Sequence, residues 1–197
     1  MPHNLLKKYN QLLEITACAH AQRLQSLKSI YNRDIANNPD FSLKKKKINP
    51  TPADGEDTME RLFNHLTTVI TDKSIRKREF DINRSVRLHW LRHHIEENKK
   101  DNMLVFSVEE PEGIRTYIYD ELEHYVIILE PMRNKDEYYL LTAYYLEGKD
   151  KARDKIKKKY KQKTIQKKLL LKEIKEVIKL QLKYNLQNYK KKKKRKI

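Results

Sequence analysis

The spacing of apolar residues changes along this chain, from a period of three to four residues to a period of two. Apolar side chains recur at helical spacing over residues 4–33 and again over 57–72. A third helix is expected from about Asp81 to Asn98. Residues 39–56 contain three prolines, a glycine and four consecutive lysines, which predicts a connector between the first two helices. Asp57 or Thr58 is a suitable N-cap for the second helix.

Four segments rich in Val, Ile, Tyr and Leu follow, over 103–109, 114–120, 124–131 and 137–147. Short turns separate them, and short connections join antiparallel neighbours. The pattern therefore predicts an α+β fold in which N-terminal helices pack on a four-stranded antiparallel sheet. A long basic C-terminal helix, or two helices, is expected over 149–189, where no Gly or Pro occurs.

These elements suggest four divisions of the chain. Residues 1–56 form an N-terminal helix and connector, and residues 57–148 form the α+β core. Residues 149–189 form a basic helical extension. The last eight residues, 190–197, are almost all Lys or Arg and are expected to be disordered because they offer no apolar surface to bury.

Charge is distributed unevenly between the body and the C-terminal part. The chain has 44 Lys and Arg against 27 Asp and Glu, a net charge of +17. Residues 151–197 hold 21 of the basic residues and 3 of the acidic ones, so residues 1–150 are almost neutral. A basic block of this size favours a polyanionic partner, since binding releases counterions from nucleic-acid phosphates. A solvated lysine-rich helix is the alternative explanation.

The remaining composition points to a reducing compartment. Cys18 is the only cysteine, which excludes a disulfide framework and a cysteine-based zinc site. No apolar run approaches the roughly 20 residues that cross a bilayer, and the first 15 residues show no secretory apolar stretch. We therefore expect a cytoplasmic protein that has no membrane partner.

Familiar catalytic motifs are absent from the sequence, including the phosphate-binding loop, GxGxxG, GxSxG and HExxH. His89 and His93 have the spacing of a metal-binding pair, but no third ligand accompanies them. The sequence therefore predicts no metal and no cofactor.

The predicted strands carry more chemistry. Arg115 and Tyr117 alternate onto one face of the second strand. In the fourth strand, simple alternation places Thr142 and Tyr144 on the same face as Leu140. Threonine between tyrosines is also ordinary strand composition, so this pattern alone does not establish a site.

Short motifs occur in a fixed order between residues 78 and 145. They are an Arg-x-x-Arg-apolar-x-Trp helix, an Arg-x-Tyr strand, a Tyr-rich strand and a strand ending in Thr-Ala-Tyr. The residues that carry them are Arg84, Arg87 and Trp90; Arg115 and Tyr117; Tyr125; and Thr142, Ala143 and Tyr144. This ordered set resembles the phage-associated Barnase–EndoU–Colicin–RelE-like nuclease group.

The resemblance implies helices on a four-stranded antiparallel sheet and a metal-independent endoribonuclease, a toxin or phage-linked effector. RNA would be cleaved by transesterification through the ribose 2′-hydroxyl. Arg84 and Arg115 would hold the scissile phosphate and Thr142 would hydrogen-bond it. Tyr117 and Tyr144 would supply hydroxyls or stack on bases. His89 is the candidate general base or acid, and His65 and His93 are its competitors.

The basic extension supplies the predicted nucleic-acid contacts, through Lys157, Lys158, Lys159, Lys161, Lys163, Lys167 and Lys168. Two alternatives to the enzyme stay open. One is a non-catalytic nucleic-acid-binding protein that uses the same basic and aromatic surfaces. The other is a module whose C-terminal helix binds a partner, such as an antitoxin or a larger phage protein.

Overall fold

The structure is a computed structural model that describes residues 2–72, 74–96, 101–148, 151–163, 178–179, 181–182 and 184. It divides the chain into two compact units, Met1–Arg153 and Asp154–Ile197. The first unit is an α+β fold that contains every strand described below. Its helical elements are a 3₁₀ helix at Pro2–Leu6, α1 at His20–Tyr31 with a π-helical turn at Asn32–Ala36, α2 at Thr58–Thr67, α3 at Ile82–Ser85 and α4 at Trp90–Ile95.

Eight strands form two sheets within the described residues. They are β1 (Ser42–Leu43), β2 (Lys46–Pro50), β3 (Thr68–Asp72), β4 (Lys77–Phe80), β5 (Met103–Glu110), β6 (Gly113–Asp120), β7 (Tyr125–Pro131) and β8 (Tyr138–Tyr145). The main sheet has six strands in the order β1-β2-β8-β7-β6-β5, and β3 with β4 forms a separate hairpin.

The predicted four-stranded antiparallel sheet was therefore wrong, although β5 to β8 do form the expected antiparallel meander. Two strands extend it, because β2 pairs in parallel with β8 and β1 pairs antiparallel with β2. Both added strands lie in the segment predicted as a connector. Its lysine run interrupts the alternation that marks a strand, while Leu43 and Ile48 are buried in the core.

The first predicted helix is much shorter than 4–33. Only His20–Tyr31 is α-helical, because the buried Asn4 side chain holds the preceding segment in a loop. The Asn4 amide donates to the Glu14 carbonyl at 3.3 Å and accepts from the Glu14 backbone N–H at 2.9 Å. A side-chain amide that pairs with backbone in this way competes with helix formation.

The start of α2 confirms the expected cap. Asp57 Oδ1 accepts hydrogen bonds from the backbone N–H groups of Met59 at 2.8 Å and Glu60 at 3.2 Å. This bonding satisfies two donors that the first turn of a helix otherwise leaves open.

The predicted helix from Asp81 to Asn98 is interrupted. Asp81 caps α3 through the Arg84 N–H, and the chain then passes through residues 86–89 before α4 begins. Backbone bonds there span three residues, as in Arg87 N–H to Arg84 O at 3.1 Å and Leu88 N–H to Ser85 O at 3.2 Å. A 3₁₀ turn has fewer residues per turn than an α-helix. An α-helical wheel over 81–98 therefore gives the wrong angle between Arg84 and the residues of α4.

The core lies between one face of the main sheet and the helices. Ile118, Ile127 and Leu129 contribute from the sheet, and Trp90 and Leu91 contribute from α4. All five side chains are almost fully buried. Burial of each such side chain contributes roughly 1.5–3 kcal/mol to stability, so these apolar residues fix which face of the sheet packs against the helices.

A buried polar group ties the N-terminal segment and α4 to the sheet. Asp120, at the end of β6, accepts from His94 Nε2 at 3.0 Å and from the Tyr9 hydroxyl at 3.3 Å. Its other oxygen accepts from the backbone N–H groups of Leu122 and Glu123 at 3.1 Å each. His94 Nδ1 contacts the Trp90 carbonyl at 2.7 Å.

The long C-terminal helix was also a wrong prediction. The helix described there is short, over residues 151–163, and we label it α5. Positions 178–179, 181–182 and 184 are helical as well, and the predicted tail 190–197 lies outside the described residues. Among the residues that the structure describes, no helix has the length and apolar character needed to cross a membrane.

Candidate active site

A β-bulge in β8 decides which side chains reach the face of the sheet opposite the core. Ile128 of β7 pairs with Thr142, whereas the next residue, Leu129, pairs with Leu140. Leu141 is therefore the extra residue, and the alternation reverses across it. Leu140 points into the core, and Thr142 lies on the opposite face. The expectation that Leu140 and Thr142 share a face was wrong, because simple alternation does not anticipate an inserted residue.

Arg84 meets Thr142 on this face. Its Nη1 donates to Thr142 Oγ1 at 3.4 Å and to the His65 carbonyl at 3.2 Å. The guanidinium carbon lies 5.7 Å from the centre of the Tyr144 ring. Asp81 holds the other side of Arg84, with Oδ2 at 3.5 Å from Nε. The structure thus brings together three predicted site residues, Arg84, Thr142 and Tyr144.

The Arg84 side chain is poised for an anion. It is about one-sixth exposed, and Nη2 makes no hydrogen bond among the described residues. Protein groups hold Nη1 and Nε of the guanidinium, while Nη2 remains available as a donor. A guanidinium arranged in this way can bind a phosphate oxygen with little loss of side-chain freedom.

His65, on α2, contacts this arginine through its backbone carbonyl. Burial, followed by the charges of Arg78, Arg84 and Arg61 in that order, lowers the pKa of its imidazole to about 4. The side chain is only partly buried, so its ring is accessible. At neutral pH it is therefore a neutral base beside a group of cations.

Arg78 extends the basic surface onto the β3–β4 hairpin. Its Nε donates to the Thr68 hydroxyl at 2.8 Å and its Nη2 donates to the Thr68 carbonyl at 3.0 Å. Burial, followed by the charge of Arg84, lowers the pKa of Arg78. Arg78 and His65 line an open groove of about 920 Å³ together with Arg61 and Arg76, and acidic residues of the α2 N-terminal region border it.

Arg115 and Tyr117 lie on the same side of the sheet but are engaged by carboxylates. Arg115 Nη1 contacts Glu130 Oε2 at 2.5 Å across β6 and β7. The Tyr117 hydroxyl donates to Glu110 at 2.5 Å, and its side chain is 2% exposed. Burial, then this hydrogen bond, raises the pKa of Tyr117. In this structure Tyr117 is closed to a stacking base.

His89 and His93 are not brought to the Arg84 group. His89 is buried, and its Nε2 lies 3.0 Å from the Lys8 carbonyl. Burial lowers its pKa, although the Lys8 carbonyl acts in the opposite direction. His93 stacks on Tyr9 with ring centres 4.4 Å apart. Within the described part of the chain, no group of three His, Cys, Asp or Glu residues could hold a metal ion.

The predicted RNA-binding lysines fall in the second unit. Lys157, Lys158, Lys159, Lys161 and Lys163 are in α5, where Lys157, Lys158 and Lys161 are exposed. Lys167 and Lys168 lie outside the described residues. A helix with this charge is a suitable surface for a polyanion.

Known proteins add nothing to these observations: a scan against protein-family models and searches of curated proteins and solved structures found no match to this chain. Function has to be argued from the site itself.

Sequence reasoning treated His65 as a competitor and did not single out Arg78. Both belong to the site because α2 and the β3–β4 hairpin pack near Arg84. Motifs found one at a time along the sequence do not show which elements pack together. The sequence did contain a signal for each residue. His65 lies beside the clear apolar face of α2, and the hairpin segment holds three consecutive basic residues, Arg76–Arg78.

Proposed function

We propose that this protein is a metal-independent endoribonuclease whose site is formed by Arg84, Thr142, Tyr144 and His65. The observation that carries the proposal is that the Arg84 guanidinium joins the Thr142 hydroxyl of β8 to the His65 backbone carbonyl of α2, and that its charge helps to keep the His65 imidazole neutral. Transesterification of RNA requires these groups, namely a cation on the phosphate, a base for the 2′-hydroxyl and an acid for the leaving oxygen.

Each group has a defined role in this reaction. Arg84 and the Thr142 hydroxyl hold the non-bridging oxygens of the scissile phosphate. His65 accepts the proton of the 2′-hydroxyl as the 2′ oxygen bonds to phosphorus. The bond from phosphorus to the 5′ oxygen then breaks, and the Tyr144 hydroxyl protonates that oxygen. The products are a 2′,3′-cyclic phosphate and a 5′-hydroxyl.

The wider setting follows from charge and composition. The α5 lysines attract RNA, which is a cytoplasmic substrate, and Cys18 would remain reduced in that compartment. A ribonuclease acting there would harm its own cell, so the proposal includes an inhibitory partner such as an antitoxin, or delivery as part of a larger phage protein.

Cleavage of RNA in the presence of EDTA tests this function. We expect Arg84→Ala to lower the cleavage rate by about 10²–10³-fold, the range for removal of one donor that stabilises transition-state charge. Thr142→Val and His65→Asn should also lower the rate, whereas His89→Asn should not. Arg133→Ala, which removes an exposed arginine in the β7–β8 loop, is the charge control.

One observation favours a second candidate, a nucleic-acid-binding protein without catalysis. Arg115 and Tyr117, two positions of the nuclease-like motif, are held by Glu130 and Glu110 instead of facing an open site. Under this alternative, RNA would be retained in a salt-sensitive manner and would stay intact with the wild type and with every variant above.

A further inference from the structure

The turn between β1 and β2 holds two lysines in an unfavourable backbone conformation. Leu43 pairs with Lys46, so Lys44 and Lys45 form a two-residue hairpin loop. Their φ angles are 51° and 68°, in the left-handed region. Residues other than glycine are strained in this region, and Asn-Gly is the usual choice for this turn. The sequence therefore keeps two charges where an uncharged pair would fold more easily.

The charges of these lysines have no partner among the described residues. The side chains of Lys44, Lys45 and Lys47 are exposed, and within that part of the chain they form no hydrogen bond or ion pair. Lys46, in contrast, pairs with Asp136 and lies 5.9 Å from the Tyr138 ring centre. Three neighbouring cations that the described residues do not pair form a surface that suits successive phosphates.

Cavities beside the turn have mixed charge. Lys44 and Lys45 line one of about 410 Å³ together with Arg92, Glu96 and Asp40. Glu96 already accepts two hydrogen bonds from Arg92 at 3.0 Å each, so its charge is offset locally. The surface at the turn stays net positive.

The sheet fixes the position of this turn relative to Thr142. Strand β2 runs parallel to β8, with Ile48 opposite Tyr138. Lys45 precedes Ile48 by three residues and Thr142 follows Tyr138 by four. At about 3.3 Å per residue, and allowing for the bulge, the turn lies roughly 20 Å from Thr142 along the strand direction. A single RNA strand several nucleotides long covers that distance.

We propose that the Lys44–Lys45 turn binds the phosphate backbone of single-stranded RNA several nucleotides away from the bond that is cut. This inference rests on the proposed function, because it assigns the turn to the same substrate. The turn supplies affinity for long RNA and leaves the reacting phosphate to Arg84.

Two double variants of the full chain separate charge from turn shape. Lys44→Asn with Lys45→Gly removes both charges and relaxes the backbone, whereas Lys44→Arg with Lys45→Arg keeps both charges. Binding of an oligoribonucleotide of about 20 nucleotides is measured as a function of salt in an Arg84→Ala background, so that cleavage is not needed. Cleavage of the same oligomer and of a ribodinucleoside monophosphate is measured in the otherwise unchanged protein.

The inference predicts that the Asn-Gly variant binds the long RNA at least several-fold more weakly. Its plot of log affinity against log salt should lose about 1.4 from its slope, the value for two single-strand phosphate contacts. Its KM for the long RNA should rise, and its cleavage of the dinucleotide should be unchanged. The Arg-Arg variant should bind as the wild type does.

Other results would overturn the inference or the function separately. Equal binding by the Asn-Gly variant and the wild type would reject the turn as an RNA contact, even if cleavage occurs. Equal binding together with new aggregation of the Asn-Gly variant would assign the lysines to protection of the β1 edge. Weakened binding without any cleavage by the wild type would support the turn and reject the ribonuclease.

Discussion

At the scale of single residues, the ionisation of His65 is set by its neighbours. Burial and three nearby arginines hold the pKa of its imidazole at about 4, below its ordinary value of 6.5. A base of this kind is unprotonated at neutral pH, and a bound phosphate anion would raise its pKa towards the range in which it can both accept and return a proton.

The pH dependence of cleavage follows from this pKa. The profile of kcat/KM, which reports the free enzyme, should have its acidic limb near pH 4. The acidic limb of kcat, which reports the complex with RNA, should lie at higher pH. Arg78→Gln removes the largest of the arginine charges acting on His65 and should move the kcat/KM limb upward. Arg76→Gln is the matched control, since Arg76 is not among the charges that lower this pKa. A limb at pH 6.5 in the wild type would show that His65 is not the base.

The same lowered pKa makes the stability of the fold depend on pH. The unfolded chain binds the His65 proton more tightly than the folded one, so stability rises with pH between about 4 and 6.5. The contribution is complete above pH 6.5 and is lost as the pH falls towards 4. In His65→Asn, denaturant titrations should show a smaller loss of stability across that window.

At the scale of elements, Asp120 joins three parts of the chain that are distant in sequence. It connects Tyr9 of the N-terminal segment, His94 of α4 and the turn after β6, and both Asp120 and His94 are fully buried. Removal of one partner from a buried, hydrogen-bonded pair leaves the other polar group without compensation.

Asp120→Ala should therefore lower the free energy of unfolding by about 3–5 kcal/mol. Asp101→Ala, at an exposed position just before β5, should change it by less than about 0.5 kcal/mol. Chemical denaturation followed by circular dichroism measures both. If Asp120→Ala is as stable as the control, the connection through Asp120 does not contribute to the fold.

Alternation and capping predicted some elements and not others. Segments β5 to β8 alternate clearly and turn tightly, and Asp57 marks the start of α2, so both appeared where expected. The lysine run concealed β1 and β2, because their place depends on pairing with β8 and not on local pattern. The bulge at Leu141 is likewise a property of two paired strands, and it alone explains why Thr142 and Leu140 take opposite faces.

The candidate site was predictable in its parts. Arg84, Thr142 and Tyr144 came from the ordered motifs, and the structure brings them together. His65 and Arg78 required tertiary information, since they reach Arg84 only through the junction of α2 with the β3–β4 hairpin.

At the scale of the whole molecule, charge is divided between the two units. The described part of the second unit has five of the predicted RNA-binding lysines in α5, while residues 1–150 are nearly neutral. Attraction of RNA and cleavage of RNA are thus assigned to different residues of one chain.

Neutralising the α5 lysines tests that division. Replacement of Lys157, Lys158, Lys159, Lys161 and Lys163 by Gln should reduce the salt slope of binding to long RNA by about 3.5 if each contacts one phosphate. Cleavage of a ribodinucleoside monophosphate should not change, because that substrate is too short to need the helix. An unchanged salt slope would mean that α5 does not bind RNA.

The central claim is 2′-hydroxyl transesterification at the Arg84 and Thr142 site, and a DNA oligonucleotide carrying one ribonucleotide tests it most directly. Incubated with the wild-type protein in EDTA, it should be cut only on the 3′ side of the ribonucleotide. The cut should leave a 2′,3′-cyclic phosphate, and Arg84→Ala should slow it by about 10²–10³-fold. An all-DNA oligonucleotide should stay intact. No cleavage, cleavage of the all-DNA strand or a 5′-phosphate end would contradict the account.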